Sequence, residues 1–382
     1  MSMRGGRSLA IAASLGLAAA VVGWRLARRV RAAALHRLCE ALPKAELHAH
    51  LHGCARLTTI AELAPPDVDV SALLIGPKDG RSLETCFGIF AAIHKTVTSL
   101  ATVRRVAREV LDDFAADNVR YLELRTTPRA LSDADINGYV EAVLAELAAS
   151  ETRQPGMMVR LLLSIDRTGS LEAALQTVML AARLRGDEGS AGAKYVVGVD
   201  FSGNPTKGCF SDFLPAFRLA RDQCGLRVAV HAGEVPHAAD SAAIVDFGAD
   251  RLGHALLLEE EEWSALAARP VPIELCPTSN LMTLKLPSMD AHPTLHRLVS
   301  DGYPISISTD DSSVFGTTPS CELAHAATAA RLTATQTAAL AAAPFAHAFA
   351  PEAAALGVRL EDESRRAVDA HEHAVRWLRW LP

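Results

Sequence analysis

The stretch of this chain that most constrains its fold is residues 44–52, with the sequence KAELHAHLH. Its pattern predicts a buried strand that carries both His48 and His50. Because side chains alternate between the two faces of a strand, these two imidazoles leave the same face. Fold stability does not call for two histidines on one inward face, whereas a divalent metal ion uses them as ligands. The pair alone is weak evidence, because single histidines are more often ordinary core or surface residues.

Beyond Pro43, short β-branched segments bounded by turn residues alternate with longer segments rich in alanine and leucine. The short segments predict strands, and the longer ones, with a period near 3.6 residues, predict helices. Eight strands separated by helices close most naturally into a parallel (β/α)8 barrel, or TIM barrel. An open doubly wound sheet is the alternative, but it usually begins with a Gly-rich turn that this chain lacks. The predicted strands are 44–51, 119–127, 158–166, 195–202, 226–232, 251–257, 271–277 and 304–309.

The helical pattern continues past the last predicted strand. The Ala-rich tail at 320–381 predicts extra C-terminal helices that pack outside the barrel. We therefore expect an N-terminal leader at 1–40 and a barrel with its helical tail at 41–382. The other predicted helices lie near 82–117, 132–150, 170–186, 212–224, 238–247, 259–268 and 290–300.

The leader differs in composition from the rest of the chain. No Asp or Glu precedes Glu40, and residues 8–24 carry no charge, with arginines on both sides. That length is at the low edge for a membrane span of about 20 residues, and an Arg-rich, acid-free leader also suits an organelle transit peptide. An unstructured extension or a misassigned start codon is the third interpretation. The sequence leaves the three open, and any membrane contact is expected only through residues 8–24.

The net charge and the cysteine content of the sequence argue against several classes of function and site. The formal net charge is -6, so no broad basic surface indicates nucleic-acid binding. The seven cysteines are scattered and form no C-x-x-C motif, which argues against both a disulfide framework and a cysteine zinc cluster. The same pattern favours a reducing compartment. We therefore expect a cytoplasmic monomer that binds a small molecule, unless the leader directs it to an organelle or a membrane.

Polar residues lie at the end of every predicted strand, which is where a barrel of this kind places its reacting groups. Buried His and Asp are costly unless they are paired or bind a metal ion. His48 and His50 end the first strand, His231 the fifth and Asp310 the eighth. Three imidazoles and one carboxylate suit one zinc ion with an open position for water. Zinc lowers the pKa of bound water to about 7 and provides hydroxide at neutral pH. Taken singly, Asp310 also suits a helix N-cap, and His231 a core histidine.

Further residues near these strand ends suit catalysis or binding. Glu234 lies three residues past His231 and suits a general acid or base, although a first-turn glutamate is also favoured by the helix dipole. His254, on the next strand, is placed to hold or deprotonate the attacking water. Asp311 follows the last ligand and is expected to share a hydrogen bond with substrate. Gly203 allows a ligand to approach the backbone closely, or is a plain turn glycine.

Four motifs resemble the adenosine/AMP deaminase family of the metal-dependent hydrolase superfamily. They are PKAELHAHLHG at 43–53, HAGE at 231–234, RLGH at 251–254 and STDD at 308–311, in matching order and spacing. The resemblance covers about 43–325 and implies a metal-dependent hydrolase barrel with one zinc ion per subunit. It implies that hydroxide adds to the purine carbon bearing the amine, and that the amine leaves. The implied roles are zinc binding by His48, His50, His231 and Asp310, ring protonation by Glu234, assistance to the attacking water by His254, and purine binding by Asp311 and the Gly203 backbone.

Three more stretches resemble the adenosine deaminase-like branch, the N6-methyl-AMP deaminases. They are YLELRTTPR at 121–129, LSIDR at 163–167 and VGVDFSGNP at 197–205. This branch implies hydrolysis of N6-methyl-AMP and related N6-substituted purine nucleoside monophosphates to IMP and the free amine. The residues carried over as nucleotide contacts are His50, His52, His94, Thr126, Thr127, Pro128, Arg129, Asp166 and Gly203.

The residue at position 52 also bears on the substrate. Nucleoside deaminases carry Asp there, and a carboxylate would repel a 5′-phosphate, whereas His52 would not. Arg129, with Thr126 and Thr127, is placed to bind phosphate oxygens. The branch usually has Asn where this chain has His52, and Asn204 replaces an Asp, so the substrate preference stays open.

Three other functions remain as alternatives. One is an adenosine deaminase that converts adenosine to inosine, and another is a catalytically silent nucleotide-binding barrel. A phosphoesterase is a more distant alternative, because some of these also begin with His-x-His. Glu234 and Asp311 fit protonation of a purine ring better than attack on phosphate.

Overall fold

The computed structural model describes residue 23, residues 26–74 and residues 83–376. In this part of the chain, eight parallel strands pair in sequence order from β1 to β8. A parallel bridge between Ala49 and Asp310 joins the last strand to the first. The His50 amide donates to the Asp310 carbonyl at 3.0 Å, and the Asp310 amide donates to the His48 carbonyl at 2.8 Å. The sheet therefore closes into a (β/α)8 barrel, and the predicted fold class is confirmed.

All eight predicted strands are present, although the last three are shorter than predicted. β6 ends at His254 because His254 and Ala255 have positive φ angles of 62° and 51°, which an extended strand does not allow. The strands are β1 (Lys44–His50), β2 (Val119–Thr126), β3 (Met158–Asp166), β4 (Val196–Ser202), β5 (Arg227–Ala232), β6 (Arg251–His254), β7 (Ile273–Leu275) and β8 (Ile305–Ile307).

Helices connect successive strands, and the sequence missed several short ones. The described helices are α1 (26–41), α2 (Leu57–Leu63), α3 (Leu83–Thr96), α4 (Leu100–Ala116), α5 (Ile136–Arg153), α6 (Leu171–Gly186), α7 (Ala191–Tyr195), α8 (Phe210–Arg218), α9 (Ala238–Phe247), α10 (Glu260–Ala268), α11 (Pro277–Thr283), α12 (Leu295–Ser300), α13 (Ser312–Phe315), α14 (Pro319–Ala329), α15 (Ala334–Ala342), α16 (Glu352–Arg359) and α17 (Glu361–Val375). Short 3-10 turns lie at Ser71–Leu74, Met289–Ala291 and Ala343–Ala346, and a π turn at Leu219–Gln223.

The single helix predicted near 82–117 is two helices, α3 and α4. The break is fixed by Ser99, whose hydroxyl accepts a hydrogen bond from the Thr102 amide, while the Thr102 hydroxyl accepts one from the Ser99 amide. Such a capping box satisfies backbone donors that the first helical turn leaves free. α4 then buries one face, which includes Val103 and Val110.

The C-terminal tail covers the N-terminal end of the barrel instead of lying only along its outside. Phe345 and Ala350 pack with Ala45 at the start of β1. Phe349 reaches further in and contacts Leu162 and Ala229, which face the barrel interior. The tail therefore closes one mouth of the barrel and leaves the C-terminal ends of the strands as the open mouth.

Part of the predicted leader lies within the described residues. α1 buries Leu38 and Cys39 against Leu323, Ala338 and Ala341 of α14 and α15. The predicted membrane segment at 8–24 lies outside the described residues, apart from residue 23. Among the helices that the structure does describe, none combines the length and the apolar character that a bilayer crossing requires.

Candidate active site

The four predicted metal ligands meet at the open mouth of the barrel. β1 supplies His48 and His50, β5 supplies His231, and the turn after β8 supplies Asp310. The Nε2 atoms of His48 and His50 each lie 3.4 Å from Asp310 Oδ1. The Nε2 atoms of His50 and His231 lie 3.2 Å apart. Potential ligand atoms of all four side chains lie within 4.8 Å of one another, so one ion can contact them all.

The chemistry of these atoms fits a divalent cation. His48 Nδ1 lies 2.6 Å from the Glu274 carboxylate, so Nδ1 carries a proton, and the buried Nε2 atom has no hydrogen-bond partner. Burial lowers the pKa of His50 to about 3, which keeps that ring neutral. The carboxylates of Asp310 and Glu274 outweigh burial and raise the pKa of His48 to about 9, so in the absence of a cation this ring shares its protons with them. Imidazole and carboxylate ligand atoms thus converge at one point in the pocket. Three imidazoles and one carboxylate are a donor set typical of zinc with an open position.

Two buried carboxylates orient the imidazoles from behind. Glu274 holds His48, and Asp200 Oδ1 lies 3.2 Å from His231 Nδ1. Arg125 bridges the two carboxylates, with distances of 2.8 Å to Asp200 and 2.9 Å to Glu274. Burial opposes their charged forms, but Arg125 outweighs it and holds the pKa of both carboxyl groups well below the usual range. Partners of this kind fix the ring orientation of metal-binding histidines.

Glu234 lies beside the ligand cluster. Burial raises the pKa of its carboxyl group; the charge of His231 lowers this pKa, and the charge of Asp310 raises it. Its Oε2 atom is buried and has no hydrogen-bond partner. Its Oε1 atom lies 3.8 Å from His254 Nε2. The pocket therefore contains a half-buried carboxyl group that holds its proton to a higher pH than a solvent-exposed glutamate does.

His254 is fixed in one neutral form. The Asn280 amide lies 3.0 Å from His254 Nδ1, and the His292 ring lies 3.2 Å from Asn280 Oδ1. The Asn280 side chain thus accepts from His292 and donates to Nδ1 of His254, which leaves the proton of His254 on Nε2, facing Glu234. Burial lowers the pKa of His254 well below its usual range. Its backbone φ of 62° is rare for a residue with a side chain, and such strain concentrates at functional sites.

The resemblance implies purine contacts for Asp311 and for the Gly203 backbone, and these roles stay predictions. Asp311 Oδ1 is buried without a hydrogen-bond partner, and burial, followed by the Asp310 charge, raises the pKa of Asp311 well above its usual range. A Cβ atom at Gly53 would lie 1.7 Å from Asp311 Oδ1, so only glycine fits there. Gly203 has a φ of 107°, and a Cβ atom on it would lie 2.5 Å from Asp166 Oδ1.

The predicted phosphate contacts form a second group. The rings of His52 and His94 meet edge to face with centroids 5.6 Å apart. Tyr139 Oη lies 3.5 Å from His52 Nε2 and 2.5 Å from Thr126 Oγ1. Burial, and then the Arg129 charge, lowers the pKa of both histidines. Arg129 donates to the Val97 carbonyl, and its Nε atom is buried without a partner.

The remaining predicted contacts lie at the edge of this group. Asp166 is exposed, and its Oδ1 atom accepts hydrogen bonds from the amide and hydroxyl of Thr168, each at 2.8 Å. The negative charge of Asp166 nevertheless raises the pKa of His94, against the larger effects of burial and Arg129. Thr127 and Pro128 are half-buried in the loop after β2. The structure thus places His52, His94, Thr126, Arg129 and Asp166 in one neighbourhood, while their roles stay predictions.

Sequence reasoning missed the orienting residues Asp200, Glu274 and Arg125. A signal for them was present, because each is a charged residue inside an otherwise apolar strand: VGVDFS, IEL and YLELRT. Charged side chains are almost never fully buried unless they are paired. What the sequence could not provide is the identity of each partner, since Arg125 and Glu274 are 149 positions apart.

Comparisons with known proteins agree with this geometry. The family model described as adenosine deaminase matches residues 43–361. The N6-mAMP deaminase of Arabidopsis thaliana is 38% identical over 82% of this chain and 94% of that protein. The N6-methyl-AMP deaminase of Homo sapiens is 35% identical over 77% of this chain and 85% of that protein. A crystal structure of arabidopsis ADAL complexed with IMP superposes with a TM-score of 0.76 and 38% identity, covering 87% of this chain and 99% of that one.

Proposed function

The chain belongs to the adenosine deaminase family of hydrolytic deaminases, which act on C–N bonds, and we propose that it hydrolyses N6-methyl-AMP and related N6-substituted purine nucleoside monophosphates. The products are IMP and the free amine, and one zinc ion is bound per subunit. The observation that carries this proposal is the convergence of His48, His50, His231 and Asp310 beside the carboxyl group of Glu234, whose Oε2 atom is buried. The N6-methyl-AMP deaminases among the relatives and the IMP-bound structural neighbour support the choice of substrate.

The metal site follows from the donor set. His48, His50, His231 and Asp310 would hold the ion, and Glu274 and Asp200 keep the two histidines that they contact in the orientation it needs. When bound, zinc lowers the pKa of a water molecule to about 7 and so supplies a nucleophile at neutral pH.

The proton transfers are proposed for residues of the chain itself. The raised pKa of Glu234 favours its protonated form, and in that form it would donate its proton to a ring nitrogen as the attacking oxygen adds to the neighbouring carbon. His254 presents its Nε2 proton on the same side of the pocket and would orient the attacking oxygen. Burial and the neighbouring Asp310 charge favour the protonated form of Asp311, which would donate a hydrogen bond to a purine nitrogen acceptor.

The preference for a nucleotide rests on the group around His52. A histidine at this position avoids the repulsion that a carboxylate would exert on a 5′-phosphate. Arg129 has a buried guanidinium nitrogen without a partner, and a phosphate oxygen can satisfy it with a charge-assisted hydrogen bond. Thr126 and His94 would complete such a site, since Thr126 reaches His52 through Tyr139 and the His94 ring meets that of His52.

A panel of four substrates tests the proposal: N6-methyl-AMP, AMP, N6-methyladenosine and adenosine. We expect kcat/KM for N6-methyl-AMP to exceed that for N6-methyladenosine roughly 100-fold, which corresponds to one or two charge-assisted hydrogen bonds of about 1.5–3 kcal/mol each. The Glu234→Gln variant, purified in parallel, controls for contaminating deaminases. Equal kcat/KM values on nucleotide and nucleoside would refute the nucleotide preference, and metal-free active protein would refute the zinc site.

A further inference from the structure

A network of buried charged side chains, here called the charge network, runs from the candidate metal ligands down the barrel axis to the C-terminal tail. It begins at His48, whose Nδ1 atom lies 2.6 Å from Glu274 Oε2. The other oxygen of Glu274 accepts a hydrogen bond from Arg251 Nε at 2.6 Å. Arg251 in turn forms an ion pair with Glu123. The side chains of Glu274, Arg251 and Glu123 are at most 1% exposed, so solvent cannot substitute for any of these contacts.

Tail segment 347–350 holds the end of the charge network that is farthest from the candidate metal ligands. The Phe349 amide donates to Glu123 Oε1 at 2.6 Å, and Arg251 donates to the His347 carbonyl at 3.0 Å. The Phe349 ring centroid lies 3.6 Å from Cζ of Arg251, which is the geometry of a cation–π contact. The same ring packs on Leu162 and excludes water from the base of the barrel.

Stability alone does not explain such an arrangement. Replacing a buried ion-pair network with well-packed apolar side chains is often neutral or stabilising, and the neighbouring core of this barrel is apolar.

We propose that the tail segment 347–350 is a positioning element for the metal site, acting through Glu123, Arg251 and Glu274 on His48. The segment fixes Glu123 and Arg251, and Arg251 fixes the Glu274 carboxylate. That carboxylate sets the tautomer and orientation of His48. Loss of the Phe349 ring would admit water to the base of the barrel and let the Arg251 guanidinium move away from Glu274. The inference rests on the metal site of the proposed function but is independent of which purine is the substrate.

Two variants test the proposal, and a third serves as the matched control. Glu123→Gln keeps the side-chain shape and removes the charge that holds Arg251, while Phe349→Ala removes the ring. Phe345→Ala deletes the same side chain from the same tail. Phe345 packs beside Gly357 and clusters with Tyr121, whose hydroxyl donates to Glu123, whereas Phe349 lies directly over Arg251. Each full-length protein is stripped of metal, checked for folding by circular dichroism, and titrated with zinc against a chelator of known affinity.

We expect Glu123→Gln and Phe349→Ala to raise the zinc Kd roughly 10-fold, at the lower end of the effect of losing a direct partner of a ligand. Phe345→Ala should stay within about twofold of the wild type at a comparable loss of Tm. At saturating zinc, KM should be unchanged in all three, because none of these residues faces the open mouth. Kd values within twofold of wild type for both test variants, or an equal loss in Phe345→Ala, would overturn the inference. If Phe349→Ala does not fold, Glu123→Gln decides alone. A wild-type protein that binds no zinc would overturn the proposed metal site as well.

Discussion

Replacing Glu234 with glutamine tests the proposed proton transfer most sharply. Gln has nearly the same shape, and Glu234 is not among the metal ligands, so the cluster of His48, His50, His231 and Asp310 should still bind zinc. The amide cannot deliver a proton, whereas the raised pKa of the Glu234 carboxyl group favours the protonated form that can. The variant should therefore bind substrate and metal but turn over slowly.

The expected loss follows from the burial of Glu234. General acid–base catalysis contributes about 100- to 10,000-fold to a rate. We expect the upper half of that range, because Glu234 Oε2 is buried and water cannot readily replace it as the donor. A loss of roughly 1,000-fold in kcat corresponds to about 4 kcal/mol of transition-state stabilisation.

The assay compares kcat, KM and zinc content for wild type, Glu234→Gln and a matched control, Glu262→Gln. Glu262 is a buried glutamate that caps the outer helix α10. The active form of Glu234 is protonated, so the wild-type rate should fall as the pH rises through its raised pKa, and this alkaline limb should be absent in Glu234→Gln. A kcat within tenfold of wild type at equal zinc content would refute the role of Glu234.

Two further variants test the pocket. Gly53→Ala should lower kcat/KM at least roughly 10-fold and lower Tm, because the added Cβ would lie 1.7 Å from Asp311 Oδ1, and overpacking of this kind costs about 1–3 kcal/mol; unchanged kinetics would contradict the packing around Asp311. Arg129→Ala should raise KM for N6-methyl-AMP roughly 10- to 100-fold and leave N6-methyladenosine unaffected, because a charge-assisted hydrogen bond contributes about 1.5–3 kcal/mol; equal effects on both substrates would argue against phosphate binding by Arg129.

The fold and the meeting of the four candidate ligands could be predicted because both follow from local sequence patterns. The two-residue period of a strand places His48 and His50 on one face, and the order of strands in a barrel brings their ends to one mouth. His231 and Asp310 then follow as polar residues at strand ends, and the structure places all four together. The helix break at Ser99 also has a local signal, a capping residue, although the long helical period of 82–117 concealed it.

The charge network below the candidate metal ligands could not be predicted, because its contacts depend on the packing of segments that are distant in the sequence. His48 and Glu274 are 226 positions apart, as are Phe349 and Glu123. No local period indicates which carboxylate faces which guanidinium inside the barrel. The same holds for the tail, whose Ala-rich helical pattern does not reveal that Phe349 enters the base of the barrel.

Metal analysis of the purified full-length protein tests the central claim most directly. We expect about one zinc ion per chain in the wild type, and a loss of both zinc and deaminase activity in His231→Ala, because that change removes one of three imidazoles from a four-ligand set. An active wild-type protein that contains no metal and is indifferent to chelators would contradict the account.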